Sequence, residues 1–380
     1  MTKVTGRDLR TGKSIEVAIE NGRIAKIQES ADAAPLWISA GFIDLQVNGY
    51  AGHDLNEEAI TPETVFAVAE ALVSTGVTTF LPTLITQSQQ RLVHALRMIK
   101  AARERYPLVA QMVPGVHMEG PYISPEDGPR GAHPRESVRM PDFEEVAEWQ
   151  QASGNLITLV TLSPHTEDHI KFIGQLRSVG IHVAIGHTHC TPAQIQAAAE
   201  AGAELSTHLG NGIAATLPRH PNILWEQLAE DRLTATFIAD GHHLPPATLR
   251  SMLRVKSVER SVLISDAVSL AGMPPGQYRA AVGGDVLLEK DGRLSIVGTP
   301  FLAGAALPLR SGISRAVRVA GITWPDSIQM ATKNPARYAD RRGELVSGAE
   351  ADIVLFDILD SGELEIGSTW LRGSLQFERT

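Results

Sequence analysis

Cysteine is almost absent from this sequence, since Cys190 is the only one among 380 residues. A disulfide within the chain is therefore excluded, and so is a zinc cage built from several cysteines of one chain. Metal binding or catalysis has to rest on other side chains. This cysteine usage is typical of a reducing compartment, and we expect a cytoplasmic protein.

Clusters of basic residues and long apolar runs are missing as well. The net charge is −9 at pH 7, and without a concentrated basic patch we expect no nucleic-acid partner. No stretch approaches the roughly 20 apolar residues of a membrane span, and residues 1–10 carry no apolar signal segment. We expect no membrane partner. An anionic small molecule stays open as a ligand, because it needs only local cations or helix N-termini.

Strand-like runs alternate with helical runs through the middle of the chain, which is typical of parallel βα units. A (β/α)8 barrel takes roughly 250 residues, which leaves room for one small additional domain. The sequence therefore predicts an α/β fold, a TIM-like barrel with a small β-sandwich domain. Its eight predicted strands are 42–47, 78–81, 112–118, 156–162, 182–185, 203–207, 234–239 and 261–265.

The small domain is predicted from the two chain ends. Short β-like runs at 14–19 and 23–27 are joined by Asn21-Gly22, a pair that favours a hairpin turn. Similar runs at 352–356 and 369–377 lie near the other end. We expect the ends to form one β domain, residues 1–40 with 345–380, and the barrel to span 41–344.

Metal-binding side chains follow several of the predicted barrel strands. In this fold the active site lies at the carboxyl ends of the strands. Glu119 follows the third predicted strand, His187 the fifth and His208 the sixth. Two imidazoles and a carboxylate, with an open position for water, are what a hydrolytic zinc site needs. The sequence therefore predicts a divalent metal bound by these three side chains.

Three further polar residues lie at strand ends. Asp266 follows the eighth predicted strand, where it can take a proton from a metal-activated water and pass it to a leaving nitrogen. Capping of the next helix is its alternative role. Gln46 and Asn48 end the first strand near the predicted metal. We expect Gln46 to hold a water there and Asn48 to be a strand-end hydrogen-bonding residue.

The order of short motifs resembles that of the N-acetylglucosamine-6-phosphate deacetylase family, within the amidohydrolase superfamily. The resemblance covers nearly the whole chain; each motif is weak alone, but the ordered set is specific. The motifs are Gly41-Phe42-Ile43-Asp44 with Gln46-Val47-Asn48-Gly49, Leu81-Pro82-Thr83-Leu84, His117-Met118-Glu119-Gly120-Pro121, Gly131-Ala132-His133, Gly186-His187-Thr188, Thr207-His208-Leu209 with Asn211, Asp240-Gly241-His242-His243, Ser265-Asp266-Ala267 and Leu302-Ala303-Gly304.

Two metal-binding features common in the superfamily are missing. Gln46 and Asn48 stand where many members carry a His-x-His pair, and the fourth strand ends at Leu162 without a lysine that could be carboxylated. The deacetylase family shows the same replacement of the histidine pair. The resemblance thus implies one divalent metal ion per subunit. Zinc is the expected ion, with iron(II) or another divalent ion as the alternatives.

The resemblance also implies the activity, which is hydrolysis of N-acetylglucosamine 6-phosphate to glucosamine 6-phosphate and acetate. Asp266 would act as general base and then as general acid. His133 and His243 would contact this small-molecule sugar phosphate.

The phosphate end of the substrate is assigned by the same resemblance. Asn211 would donate to the phosphate, and Gly212 lies beside it in the implied substrate site. Arg219 would reach the phosphate site of a neighbouring subunit, which implies a homodimer. A planar guanidinium and neutral donors suit phosphate binding.

Several residues near the implied phosphate site depart from the family pattern. Gly210 stands where an aromatic residue is usual, and Gly212 where alanine normally follows the asparagine. These departures keep open a related amidohydrolase that acts on another N-acyl compound, such as an unphosphorylated amino sugar or an N-acyl amino acid. A catalytically silent relative with a binding or structural role is the alternative from a different class.

Overall fold

The computed structural model describes residues 2–280, 284–299 and 301–380. Its strands are β1 (Thr2–Asp8), β2 (Ser14–Glu20), β3 (Arg23–Glu29), β4 (Trp37–Ala40), β5 (Phe42–Val47), β6 (Gly49–Tyr50), β7 (His53–Asp54), β8 (Val77–Ile85), β9 (Val116–Glu119), β10 (Ile157–Leu162), β11 (His182–Ile185), β12 (Leu205–Ser206), β13 (Thr234–Ile238), β14 (Ser261–Ile264), β15 (Gly276–Ala280), β16 (Gly284–Leu288), β17 (Leu294–Ile296), β18 (Ile353–Ile358), β19 (Leu364–Leu371) and β20 (Ser374–Glu378). Its α-helices are α1 (Pro62–Val73), α2 (Gln89–Arg105), α3 (Pro107–Met112), α4 (Phe143–Ser153), α5 (Glu167–Ser178), α6 (Pro192–Glu200), α7 (Ile223–Ala229), α8 (Pro246–Lys256), α9 (Leu309–Ala320), α10 (Trp324–Met330) and α11 (Lys333–Ala336).

The predicted barrel is confirmed. Eight strands form one sheet in the order β5-β8-β9-β10-β11-β12-β13-β14, and each neighbouring pair is parallel. The two edges meet where Val47 pairs in parallel with Ala267. The amide of Asn48 donates to the Ala267 carbonyl at 2.8 Å. The carboxyl ends of all eight strands therefore face one end of a nearly closed barrel.

Helices follow the barrel strands, and local sequence signals set where several of them begin. Thr61 and Thr191 each cap a helix that has proline in its first turn, and each completes a capping box with the residue three positions on. A Thr-Pro pair is a local sequence signal for such a helix start. Among the described residues, no helix is both long and apolar enough to cross a membrane.

The two chain ends form a separate seven-stranded sheet, in the order β20-β19-β18-β4-β1-β2-β3. Its pairs are antiparallel except for β1 with β4. The hairpin turn predicted at Asn21-Gly22 is present, with φ angles of 50° and 74°. Within the predicted β-like run 369–377 the chain turns at Arg372 and Gly373, between β19 and β20, with positive φ angles of 44° and 76°.

Two other segments differ from the sequence-based expectation. The predicted strand at 112–118 begins too early, because Pro107 opens the short helix α3, which ends at Met112. A three-stranded antiparallel sheet, β15-β16-β17, lies between the eighth barrel strand and α9. Its short, half-exposed strands lack the apolar continuity of the barrel strands, and the sequence pattern did not predict it.

A buried carboxyl group joins the first and last strands of the barrel. Asp44 is 0% exposed, and its Oδ1 accepts from the backbone amides of Ser265 at 3.1 Å and Gln46 at 3.4 Å. Its Oδ2 is buried with no hydrogen-bond partner among the described residues. Burial raises the pKa of Asp44 to about 7. A proton on this carboxyl group is therefore favoured by folding.

Replacing Asp44 by Asn is expected to remove a pH-dependent part of the stability. With a folded-state pKa of about 7, the folded protein keeps a proton that the unfolded chain releases above about pH 4. A rise in pH through this window therefore destabilises the wild type, and the loss is complete above pH 7. Urea denaturation at pH 5 and pH 8 measures it. The wild-type midpoint should fall relative to that of Asp44→Asn.

The exposed Asp360 supplies the matched control. Asp360→Asn should track the wild type at both pH values. A difference in midpoint between wild type and Asp44→Asn that stays constant from pH 5 to pH 8 would contradict the assignment.

Candidate active site

Four chemically distinctive residues lie at or just beyond the carboxyl ends of barrel strands. Glu119 is the last residue of β9, and His187, His208 and Asp266 each lie two positions beyond the last residue of β11, β12 and β14. Glu119, His187 and His208 are buried, and Asp266 is half-buried. The barrel brings together residues that are separated by up to 147 positions between Glu119 and Asp266 in the sequence.

The carboxylate of Glu119 meets two imidazoles. Its Oε1 lies 3.1 Å from Nε2 of His187 and 3.0 Å from Nε2 of His208, and the two nitrogens are 3.1 Å apart. Nδ1 of His187 donates to the Pro129 carbonyl at 2.9 Å, so that in the neutral ring Nε2 carries the lone pair that a metal would use. Three converging donor atoms of this type fit a divalent metal of the hydrolytic kind.

A third imidazole borders this cluster. The ring of His133 has its centre 4.2 Å from that of His187, and donor atoms of Glu119, His133 and His187 all lie within 4.8 Å of one another. The set with His208 is the tighter one, because its three contacts are 3.0–3.1 Å. His133 Nδ1 is hydrogen-bonded to Thr86 at 2.8 Å. Burial lowers the pKa of His133 to about 3, so the ring is neutral.

Burial and the neighbouring groups shift the pKa values of Glu119 and His208 in opposite directions. Burial would raise the pKa of Glu119, but hydrogen bonds from His187 and His208 outweigh it and hold that pKa well below its usual value. Burial would lower the pKa of His208, but its hydrogen bond to Glu119 and the charge of that carboxylate raise it. The buried carboxylate is therefore kept charged by its two neighbours.

Asp266 is placed beside this cluster by a residue from the opposite barrel edge. Asn48 donates from Nδ2 to Oδ1 of Asp266 at 2.8 Å. Burial, with the charge of Glu119, raises the pKa of Asp266 to about 6. Gln46 contacts Glu119 Oε1 through Nε2 at 3.0 Å. The two residues that replace a histidine pair therefore contact the two carboxylates of the site.

The backbone is held in an uncommon conformation at three of these positions. The φ angles are 47° at His187, 30° at His208 and 51° at Asp266. Residues with a Cβ rarely adopt this left-handed region, and such strain persists only where the surrounding structure enforces it. Here it turns each side chain toward the cluster directly after a strand ends.

Of the residues expected to contact substrate, His243 and Asn211 are held by hydrogen bonds near the site, whereas Arg219 is exposed. His243 Nδ1 bonds to Asp240 Oδ2 at 2.7 Å, and the Asp240 carboxylate also accepts from the backbone amide of His243 at 3.0 Å. Asn211 donates from its side chain to the His208 carbonyl at 3.2 Å. Arg219 lies on an exposed segment and makes no contact with the cluster in the part of the chain that the structure describes.

Sequence reasoning did not assign the residues that orient the imidazoles to that role. Thr86, behind His133, follows a strand without any distinguishing motif. Asp240 had a usable signal, because an aspartate three residues before a histidine can accept from both its backbone amide and its ring. Pro129 acts on His187 through a backbone carbonyl, which no side-chain pattern reveals.

The amidohydrolase family model matches residues 37–374. The chain is 32% identical over 358 residues to N-acetylglucosamine-6-phosphate deacetylase of Bacillus subtilis (strain 168), covering 93% of this chain and 87% of that protein. It is 32% identical over 370 residues to N-acetylgalactosamine-6-phosphate deacetylase of Escherichia coli O157:H7, covering 97% and 94%. These similarities extend over nearly the whole of each chain.

Solved structures agree with these sequence relatives. A mutant N-acetyl-D-glucosamine-6-phosphate deacetylase from Mycobacterium smegmatis, in complex with N-acetyl-D-glucosamine-6-phosphate, has a TM-score of 0.86 at 26% identity and covers 99% of this chain and 100% of its own. N-acetylglucosamine-6-phosphate deacetylase from Thermotoga maritima has a TM-score of 0.85 at 26% identity, with coverage of 100% and 99%.

Gly212 leaves room for the His187 ring, and substituting it is expected to weaken metal binding. A Cβ there would lie 2.9 Å from His187 Nδ1, on a backbone with φ of +60°. Gly212→Ala should therefore push the ring away and lower the affinity for divalent metal by about tenfold or more, as disturbed support of a ligand does. Metal titration of the metal-free protein measures the change.

Gly321→Ala is the matched control, because Gly321 also has positive φ, +71°, with no atom within 4 Å of an added Cβ. It carries the same kind of backbone strain and should leave metal affinity unchanged. Equal metal affinity in the two variants would show that the contact with His187 has no such role.

Proposed function

The chain belongs to the amidohydrolase family, and within it to the N-acetylglucosamine-6-phosphate deacetylases, and from this premise we propose that it deacetylates N-acetylglucosamine 6-phosphate. The products are glucosamine 6-phosphate and acetate. As a member of this family it is a metal-dependent amide hydrolase. The observation that carries the proposal is the convergence of Glu119, His187 and His208 beside the half-buried carboxyl group of Asp266.

One divalent metal ion per subunit is proposed, held by Oε1 of Glu119 and Nε2 of His187 and of His208. Their mutual distances of 3.0–3.1 Å support this ligand set. Zinc is the proposed ion, and iron(II) suits the same donors. When bound, the ion polarises the amide carbonyl and lowers the pKa of water.

Asp266 is proposed as the group that moves the proton. With a pKa of about 6 it is mostly ionised at neutral pH, and a nearby cation favours the ionised form further. The carboxylate accepts a proton from the attacking water and then donates it to the leaving nitrogen. Asn48 donates to Oδ1 of Asp266 at 2.8 Å. This bond fixes the orientation of the carboxylate and leaves its second oxygen for proton transfer.

His133 and His243 are proposed to bind the sugar. Each ring has Nδ1 engaged, by Thr86 in one case and by Asp240 in the other. The Nε2 atom of each ring is then available to a substrate group. Rings held on one side in this way give fixed contacts, which orient the amide relative to Asp266.

The phosphate site is proposed to involve two subunits. Asn211 and Gly212 line it from within the chain, and Arg219 enters from a homodimer partner. Arg219 is exposed and forms no ion pair with a carboxylate among the described residues, so its guanidinium is free for an anion. Trp225, on the helix that follows, has 52% of its surface exposed, which supports an interface at this face.

The domain boundaries and the cellular compartment are also part of the proposal. The β domain comprises residues 1–40 with 345–380, and the barrel domain residues 41–344. The protein acts in the cytoplasm, where a buried free thiol such as that of Cys190 persists in reduced form.

N-acetylgalactosamine 6-phosphate is the second candidate substrate, because a relative named for that activity is as similar, at 32% identity, as the one named for the glucosamine compound. The two sugars differ only in the configuration of one hydroxyl group. Unphosphorylated amino sugars and N-acyl amino acids are weaker candidates, since the relatives compared are named for sugar phosphates.

The proposal is tested by acetate release from N-acetylglucosamine 6-phosphate, its galactosamine isomer and unphosphorylated N-acetylglucosamine. We expect the phosphorylated glucosamine compound to give the highest kcat/KM. Asp266→Asn keeps an oxygen for Asn48, so it should bind metal normally yet lose about 100-fold or more in kcat. No acetate from any of the three, by protein carrying metal, would reject the proposal.

A hybrid dimer tests whether Arg219 acts on the partner's site. Arg219→Ala should raise KM for the phosphorylated substrate by about tenfold or more, because a charged hydrogen bond to phosphate is lost. In co-expressed dimers of Arg219→Ala and Asp266→Asn, one site has an intact Asp266 and receives Arg219 from the other subunit. Purified hybrids should therefore regain a low-KM activity that neither parent has.

The exposed Arg254 provides the control, and Arg254→Ala should leave KM unchanged. Hybrids that show only the activity of their parents would place Arg219 within its own subunit's site or outside the site altogether.

A further inference from the structure

A chain of hydrogen bonds crosses the barrel interior next to the Glu119 cluster. Its members are His117 on β9, Thr161 on β10 and Thr207, which directly follows β12. All three residues are at most 4% exposed. Nε2 of His117 lies 2.8 Å from Oγ1 of Thr161, which lies 2.7 Å from Oγ1 of Thr207. The two threonines meet across β11, which separates β10 from β12 in the sheet.

The partners of His117 fix the direction of each bond in this chain. Nδ1 of His117 lies 3.2 Å from the Leu45 carbonyl, and since a carbonyl can only accept, Nδ1 carries the proton. The partners of this buried ring among the described residues are all neutral, and Nε2 of an uncharged ring can then only accept. The Thr161 hydroxyl therefore donates to Nε2, and its oxygen accepts from the hydroxyl of Thr207.

Gly186 allows the two threonine side chains to meet. A Cβ at this position would lie 2.7 Å from Cγ2 of Thr161 and 2.9 Å from Cβ of Thr207, closer than real Cβ atoms approach a neighbour. Gly186 directly precedes His187 in the sequence. The glycine of this motif is therefore a condition for the hydrogen bond between the two hydroxyl groups.

The backbone links this chain to two members of the Glu119 cluster. His117 lies two positions before Glu119 on β9, so the two side chains point to the same face of the sheet. The Thr161 carbonyl accepts from the amide of the residue after Glu119 at 3.0 Å. Thr207 directly precedes His208, whose backbone has the uncommon φ of 30°. A shift of these side chains would therefore displace Glu119 or His208.

We propose that His117, Thr161 and Thr207 are positioning residues for the divalent metal, because their hydrogen bonds set the spacing between Glu119 and His208. This inference rests on the proposed metal site. Loss of a group that orients a ligand lowers metal affinity by about 10- to 100-fold. A purely structural role would change the stability of the fold and leave the metal affinity of the folded protein as it is.

Cobalt binding by variants of Thr161 tests the proposal. Thr161→Val keeps the shape of the side chain but can neither donate to His117 nor accept from Thr207. Titration of the metal-free protein with Co²⁺ should show about tenfold weaker binding and an altered absorption spectrum of the bound ion. Thr161→Ser keeps the hydroxyl group and should restore both. Thr207→Val removes only the last donor and should change both in the same direction.

Thr79→Val is the matched control. Thr79 is also fully buried on a barrel strand, β8, and its Oγ1 has no hydrogen-bond partner among the described residues. This variant should bind Co²⁺ as the wild type does. Wild-type binding with an unchanged affinity and spectrum in Thr161→Val would reject the inference alone. No Co²⁺ binding by the wild type would reject the proposed metal site and the inference with it.

Neutron diffraction from crystals of the wild type needs neither a variant nor a metal. It should show deuterium on Nδ1 of His117, with the Thr161 hydroxyl directed to Nε2 and the Thr207 hydroxyl directed to Oγ1 of Thr161. Deuterium on Nε2 of His117, or a Thr207 hydroxyl directed elsewhere, would overturn the proposal.

Discussion

The structure depends most on the meeting of one buried carboxylate with two buried imidazoles at the ends of three strands. Glu119, His187 and His208 bring single donor atoms to within 3.0–3.1 Å of one another. A buried carboxylate is unstable without a partner, and the pKa of Glu119 stays low only because both rings bond to it. The positive φ angles at both histidines are a local cost of this arrangement, and the rigid parallel strands of the barrel enforce them.

Around this meeting point, other residues hold each functional group from a second side. Pro129 orients His187 through a carbonyl, Asn48 holds Asp266, and Thr86 and Asp240 hold His133 and His243. These partners come from different strands and loops. The proposed chemistry therefore rests on contacts across the barrel end, and a small displacement of one loop would alter several groups together.

Hydroxyl groups link His165 and His189 to the segment that carries His187. Ser163 bonds to both His165 and Thr188, the residue after His187. Ser124 bonds to His189 through its hydroxyl and to the His187 carbonyl through its amide. These contacts therefore connect the loops after the third, fourth and fifth barrel strands around His187.

Substrate-site departures from the family pattern have a packing reason at Gly212, where an added Cβ would lie 2.9 Å from the His187 ring. At Gly210 a Cβ would lie 3.0 Å from Leu244 and 3.1 Å from Met252, on a backbone with φ of +98°. Neither glycine therefore simply leaves open space for a larger substrate. At both positions an added Cβ would press on a neighbouring side chain, on a backbone that L residues rarely adopt.

The amino-acid sequence by itself determined the alternation of strands and helices, the capped helix starts, and the strand-end positions of Glu119, His187, His208 and Asp266. These features are local, since each follows from apolar periodicity, a turn pair or a residue directly after a strand. Only the tertiary structure decided that Asn48 bonds to Asp266 and that Asp44 joins the first and eighth strands. Such contacts join residues up to 221 positions apart, as in Asp44 with Ser265, and no local pattern encodes which distant partner a polar group will meet when the barrel closes.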